Sequence, residues 1–169
     1  MQMRRRALRK LIILQIVFVV DNITHLSMLY RGFRYHRTSI IRFLTVFPLR
    51  PLTLITTKRS PVRVLSYWLR PHTSKTKLPI VFLHGIGIGL WTYVNFLAAL
   101  NNQGNDDGEV GIIAIEILPV SFRITHSALD KEEMCRQIEN ILIHHGFESF
   151  VLVTHSCVLP PCSGTGANI

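Results

Sequence analysis

Two short segments carry residues whose types and spacing can do chemistry. The first is His84-Gly85-Ile86-Gly87-Ile88-Gly89, which follows the apolar run Pro79 to Leu83. The second is Thr154-His155-Ser156, which follows the apolar run Phe150 to Thr154 and places Ser156 72 residues after His84. Glycines after a strand let the backbone approach a ligand closely and turn its amides toward negative charge. A serine at the end of a buried strand can act as a nucleophile if a base removes its proton.

Two phosphate-binding readings of the glycine segment fail on spacing. A dinucleotide fingerprint wants Gly-x-Gly-x-x-Gly and an acid about twenty residues on. Here the third glycine falls at 89 instead of 90, and Glu116 lies 31 positions after Gly85. A P-loop ends in Gly-Lys-Ser/Thr, whereas Gly89 is followed by Leu90 and Trp91. An oxyanion loop and a glycine-rich structural turn remain. Cys135, Cys157 and Cys162 are odd in number and lack Cys-x-x-Cys spacing, so neither a disulfide framework nor a zinc site is expected. No metal and no cofactor are expected either.

The elements that must position these segments alternate from residue 62 onward. Short apolar runs at Val62 to Leu69, Pro79 to Leu83, Val110 to Leu118 and Phe150 to Thr154 are predicted as strands, the last three buried. Helices are predicted over Leu90 to Leu100, and from a capping box at Ser127-x-x-Asp130 to a stop at Gly146. Met134, Ile138, Ile141, Leu142 and His145 line one face of the latter. Strands alternating with helices predict an α/β fold with a mostly parallel sheet and flanking helices.

With a glycine loop after one strand and a serine turn after another, in that order, residues 62 to 156 resemble the α/β-hydrolase superfamily, esterase or lipase-like. The resemblance implies a partial α/β-hydrolase fold in which Ser156 is the nucleophile. It also implies that the backbone N–H groups of Ile86 and Cys157 form the oxyanion hole, within a loop made of His84, Gly85, Gly87 and Gly89. His155 is implied to be a strand-end residue and not the base. An ester or lipid is the implied substrate of full-length relatives.

The chain departs from the family pattern after Ser156. Thr154 and Val158 replace the glycines of Gly-x-Ser-x-Gly, and Leu159-Pro160-Pro161 follows, which disfavours a helix start. No Asp, Glu or His occurs after Ser156, although the family places its acid and histidine there in that order. The expectation is a truncated serine hydrolase without catalytic competence, with residues 157 to 169 as an irregular tail. The change of composition at Cys157 reads as a frame change, alternative splice or mis-called exon in preference to an evolved pseudoenzyme. The other reading is a non-catalytic, membrane-associated interaction or regulatory protein.

Residues 1 to 61 form a basic extension. Residues 1 to 78 hold sixteen Lys or Arg against the single Asp21, and residues 79 to 169 hold three against nine Asp or Glu, or about +15 and −6. That asymmetry predicts a basic appendage on an acidic core, facing an anionic partner. Arg4, Arg5, Arg6, Arg9 and Lys10 precede the apolar run Leu11 to Val20, and the segment 11 to 30 is predicted as an uncleaved signal anchor or interfacial helix, with a core helix as the plain alternative. The expected location is therefore a membrane, with mitochondria as the alternative. The basic patch has no RNA-recognition or helix-turn-helix pattern, so no nucleic acid is expected as partner.

Overall fold

The computed structural model describes residues 2–100 and 107–156. The fold is α/β: a mixed five-stranded sheet with helices on both faces and a long N-terminal helix. The elements are α1 (Gln2–Tyr30), β1 (Arg34–His36), α2 (Ile40–Leu44), β2 (Ser66–Arg70), β3 (Ile80–Leu83), α3 (Val94–Ala99), β4 (Ile112–Glu116), α4 (Lys131–His144) and β5 (Val151–Thr154). The sheet order is β1-β2-β4-β3-β5. The β4-β3-β5 part is parallel, as alternating strands and helices require, while β2 runs antiparallel to both β1 and β4.

Two crossovers explain the layers. From β3 the chain moves one place across the sheet to β4, and from β4 it moves back past β3 to β5. Right-handed crossovers in opposite directions put their helices on opposite faces. Accordingly Val81, Leu83, Ile113 and Ile115 pack with Met134, Ile138, Ile141 and Leu142 of α4. The alternate residues Phe82, Ile112 and Ala114 pack with Met28 of α1 and with Val94 and Leu97 of α3. This is the period-2 alternation of a sheet covered on both sides.

Several boundaries differ from expectation. Val62 lies in a bend and β2 starts only at Ser66. The helix predicted at Leu90 begins as a 3-10 turn over Trp91–Tyr93 before α3. For α4 the cap is Asp130 and not Ser127: the Asp130 carboxylate accepts from the Glu133 amide at 2.8 Å, which satisfies one of the amides a helix start leaves open. Gly146 ends α4 at φ 69°, where glycine carries no Cβ penalty. Finally, β5 is not buried. Among the described residues β3 is its only strand neighbour, and Val151 and Leu152 are exposed.

The basic N-terminal segment supplies parts of the sheet layers. β1 pairs with β2, and the second half of α1 buries Val17, Asp21, Thr24, His25 and Met28, a stripe with helical spacing. The His25 ring lies edge-on to Tyr35 and Trp68, with centroids 5.5 and 4.8 Å away. Leu8–Tyr30, 23 residues long, contains an 18-residue window of mean hydropathy 1.8, long and apolar enough to cross a membrane or serve as a signal sequence.

Candidate functional site

The residues singled out from the sequence meet at the carboxyl edge of the sheet. Because β3 and β5 are adjacent and parallel, Leu83 opposite Thr154, their following segments leave side by side. The amide of His155 donates to the Leu83 carbonyl at 3.1 Å, which extends the pairing by one residue into the turn. Ser156 then takes φ 49°, a left-handed conformation that costs a non-glycine residue about 1–2 kcal/mol. Gly85 is what allows that turn to sit so close. A Cβ at Gly85 would stand 2.4 Å from the His155 carbonyl oxygen and 2.9 Å from the Ser156 Cβ.

That contact yields a first expectation. Gly85→Ala should lower stability by about 1–3 kcal/mol, the usual cost of forcing atoms into a filled site. Gly87→Ala meets no atom within 4 Å and should cost little. Thermal unfolding of the two variants side by side checks this; equal midpoints would remove the argument for a close approach.

The rest of the glycine loop is held from β4. The Gly87 amide donates to the Val120 carbonyl at 3.1 Å, whereas the Ile86 amide has no partner among the described residues and is free to donate. Gly89 sits at φ 65°. Cys157, the other expected oxyanion donor, lies outside the described residues.

His84 is fully engaged. Its Nε2 accepts from the Ile117 amide at 3.0 Å, so the proton resides on Nδ1, which donates to the Gly85 carbonyl at 2.9 Å. Burial pushes its pKa down, against the opposing pull of the Gly85 carbonyl. A buried neutral imidazole with both nitrogens used ties β3 to β4 and cannot serve as a base. His155 instead shares a 2.6 Å hydrogen bond between Nδ1 and the Tyr93 hydroxyl. Among the described residues no histidine or carboxylate is hydrogen-bonded to the Ser156 hydroxyl.

Beside this edge lies a charge network that motif reading missed. Glu116, the last residue of β4, accepts two hydrogen bonds from Arg50 at 2.7 Å each, and others from Tyr35, Ser66 and Trp68 at 3.0, 3.1 and 3.3 Å. Arg50 also lies 3.4 Å from Asp21, which is further paired with Arg123. Burial alone would raise the Glu116 pKa, but the Arg50 guanidinium overrides it and holds the carboxyl well below the usual range. A signal for this existed: Glu116 is the one charge in Val110 to Leu118, and a buried charge must be paired.

The arrangement sets a serine in left-handed backbone against Gly85, the residue before an amide that has no partner among the described residues. Among the described residues no group of His, Cys, Asp and Glu is placed to hold a metal ion. No protein-family model, curated protein or solved structure matches this chain.

Proposed function

We propose that the carboxyl edge is the nucleophile half of an α/β-hydrolase-type serine hydrolase, with Ser156 in the nucleophile position and the chain as given unable to turn over an ester. The observation that carries this reading is the φ of 49° at Ser156, since strained backbone at a non-glycine residue concentrates at functional turns. Three further features support it. The glycine loop follows the third strand in chain order, as the oxyanion loop does in that fold. The close approach at Gly85 sets against Ser156 the residue that precedes Ile86, whose amide has no partner among the described residues. The serine follows a parallel strand beside that loop.

Incompetence rests on the absence of a base. Among the described residues His84 is fully engaged, His155 is bound to Tyr93, and no histidine or carboxylate is hydrogen-bonded to the Ser156 hydroxyl. Without a base, only the oxyanion donors and binding would accelerate the reaction.

The expected result has two parts. A fluorophosphonate probe should label the chain no more than its Ser156→Ala variant; labelling lost in that variant would overturn the incompetence. Ser156→Gly should be about 1 kcal/mol more stable than Ser156→Ala, because only glycine adopts this φ without cost. A Gly variant no more stable than Ala would take away the support for a strained elbow.

A second reading, a membrane-associated interaction or regulatory protein, draws on the hydropathy of Leu8–Tyr30 and the basic flanks. Binding to anionic vesicles that weakens with salt and survives Ser156→Ala would favour it. The mitochondrial alternative finds no support, since Leu11 to Val20 is apolar all round and lacks the Arg-rich face of a presequence.

A further inference from the structure

α1 runs from the carboxyl edge of the sheet to its amino edge. β1 begins four residues after α1 ends and runs parallel to β4, so the end of α1 at Tyr30 lies at the amino edge of the sheet. From there the helix climbs: Met28 is in the core, His25 lies over Tyr35 and Trp68, and Asp21 meets Arg50 and Arg123 beside Glu116 at the carboxyl edge. At about 1.5 Å per residue, the stretch from Asp21 to Tyr30 covers roughly 14 Å, close to the length of a five-residue strand. Residues before Val17 therefore project beyond the edge that carries Ser156.

That projection is apolar and uncovered. Leu8, Leu11, Ile12, Ile13 and Ile16 are each about half exposed or more, without an acidic residue among them. The loops leaving the same edge carry more exposed apolar side chains: Ile41 (77%) and Leu44 after β1, Ile86 (67%) after β3, and Phe122 and Ile124 (61%) after β4. Phe47, exposed as well, is bridged to Ile124 through paired backbone bonds of 2.9 Å, so these loops form one fringe. Around them stand Arg9, Lys10 and Arg42, while Asp21, the only acid of the first 78 residues, is turned inward to two arginines. Glu116 at this edge is buried against Arg50, and Asp130, Glu132 and Glu133 start α4 on the opposite face of the sheet.

We propose that the carboxyl edge of the sheet lies against a lipid bilayer containing anionic lipid, with Leu8 to Ile16 inserted and the fringe of Ile41, Leu44, Phe47, Phe122 and Ile124 seated at the interface. The inward pairing of Asp21 leaves the helix with no acid to desolvate, and the arginines meet anionic head groups. The orientation stands on geometry alone. Its consequence, that whatever reacts at Ser156 arrives from the lipid phase, rests on the hydrolase reading above.

The test uses the full chain in vesicles of phosphatidylcholine and phosphatidylserine, with brominated acyl chains as tryptophan quenchers. Ile124→Trp and Leu78→Trp place reporters at the carboxyl and amino edges, both at exposed positions, with Phe122→Trp and Ile143→Trp as a second pair. Emission of the parent chain, from Trp68 and Trp91, is subtracted. At 124 and 122 the added emission should fall by half or more on bromination, and at 78 and 143 it should be unchanged. Equal quenching at both edges, quenching at the amino edge alone, or no vesicle binding would overturn the proposal. Ser156→Ala should leave the quenching as it was, so failure of the hydrolase reading would not be mistaken for failure of this one.

Discussion

Arg50→Met is expected to destabilise the chain by about 3–5 kcal/mol, the cost of leaving a buried charge without its partner. The side chains of Arg50 and Glu116 are 8% and 7% exposed, so solvent cannot replace the lost guanidinium. Asp21 would keep Arg123, whereas Glu116 would keep the neutral donors of Tyr35, Ser66 and Trp68 and, as a charge partner, only Arg123, which makes no direct hydrogen bond to it. Urea unfolding in mild detergent, followed by the emission of the fully buried Trp68, measures the loss. The penalty should also shrink toward acid. In the parent chain the Glu116 carboxyl is held low, so its stabilisation is fully present above the unfolded pKa and is lost progressively as the pH falls from there through the folded value. Without Arg50 burial raises that carboxyl instead, and protonation then relieves the buried charge as the pH falls. The double variant Arg50→Met/Glu116→Leu should recover much of the loss, since apolar replacements of a buried pair are often close to neutral. A single variant within about 1 kcal/mol of the parent would show that the network is not what holds α1 and β4 together.

Stability is expected to fall between pH 7.5 and 5 through histidines that the fold keeps neutral. Burial lowers the pKa of His84 and of His36, and it pushes His145 down to about 4, helped by the neighbouring His36 and His144. His36 and His145 both reach the Tyr67 hydroxyl, at 3.1 and 2.8 Å, and the His36 ring is stacked on Tyr67. Below about pH 6.5 the unfolded chain takes up protons that these folded imidazoles refuse. The unfolded state then binds more protons, so stability declines as the pH falls through the window between the unfolded and folded values. Each such histidine contributes at most about 1.4 kcal/mol per pH unit, and less for His145, which solvent partly screens. Urea midpoints at pH 7.5, 6 and 5 test this. The decline should be shallower in His84→Asn, and a midpoint that is flat or rises toward acid would contradict the account.

Both effects arise from residues that short-range pattern reading treats as background. Within the chain, Pro79 to Leu83 and Phe150 to Thr154 are legible as strands because a short run of apolar residues rich in β-branched and aromatic side chains leaves little alternative. Met134, Ile138, Ile141 and Leu142 are legible as one helical face because the 3.6-residue period is local. The α/β class follows from the alternation of such elements, and the positions of the glycine loop and of Ser156 follow from the ends of those strands.

Sequence by itself therefore determined the order of strands and helices from residue 62 onward, that the glycine loop and Ser156 follow strand ends, and that residues 11 to 30 form an apolar helix, because each is set by neighbours within a few positions. Tertiary structure decided the rest, because it depends on pairing over long distances. It set β2 antiparallel and made β1, from the basic segment, part of the sheet. It closed both nitrogens of His84 and brought Gly85 against Ser156. It paired the opposite charges of the two halves at Asp21, Arg50, Glu116 and Arg123, and it aimed the apolar end of α1 past the edge where Ser156 stands.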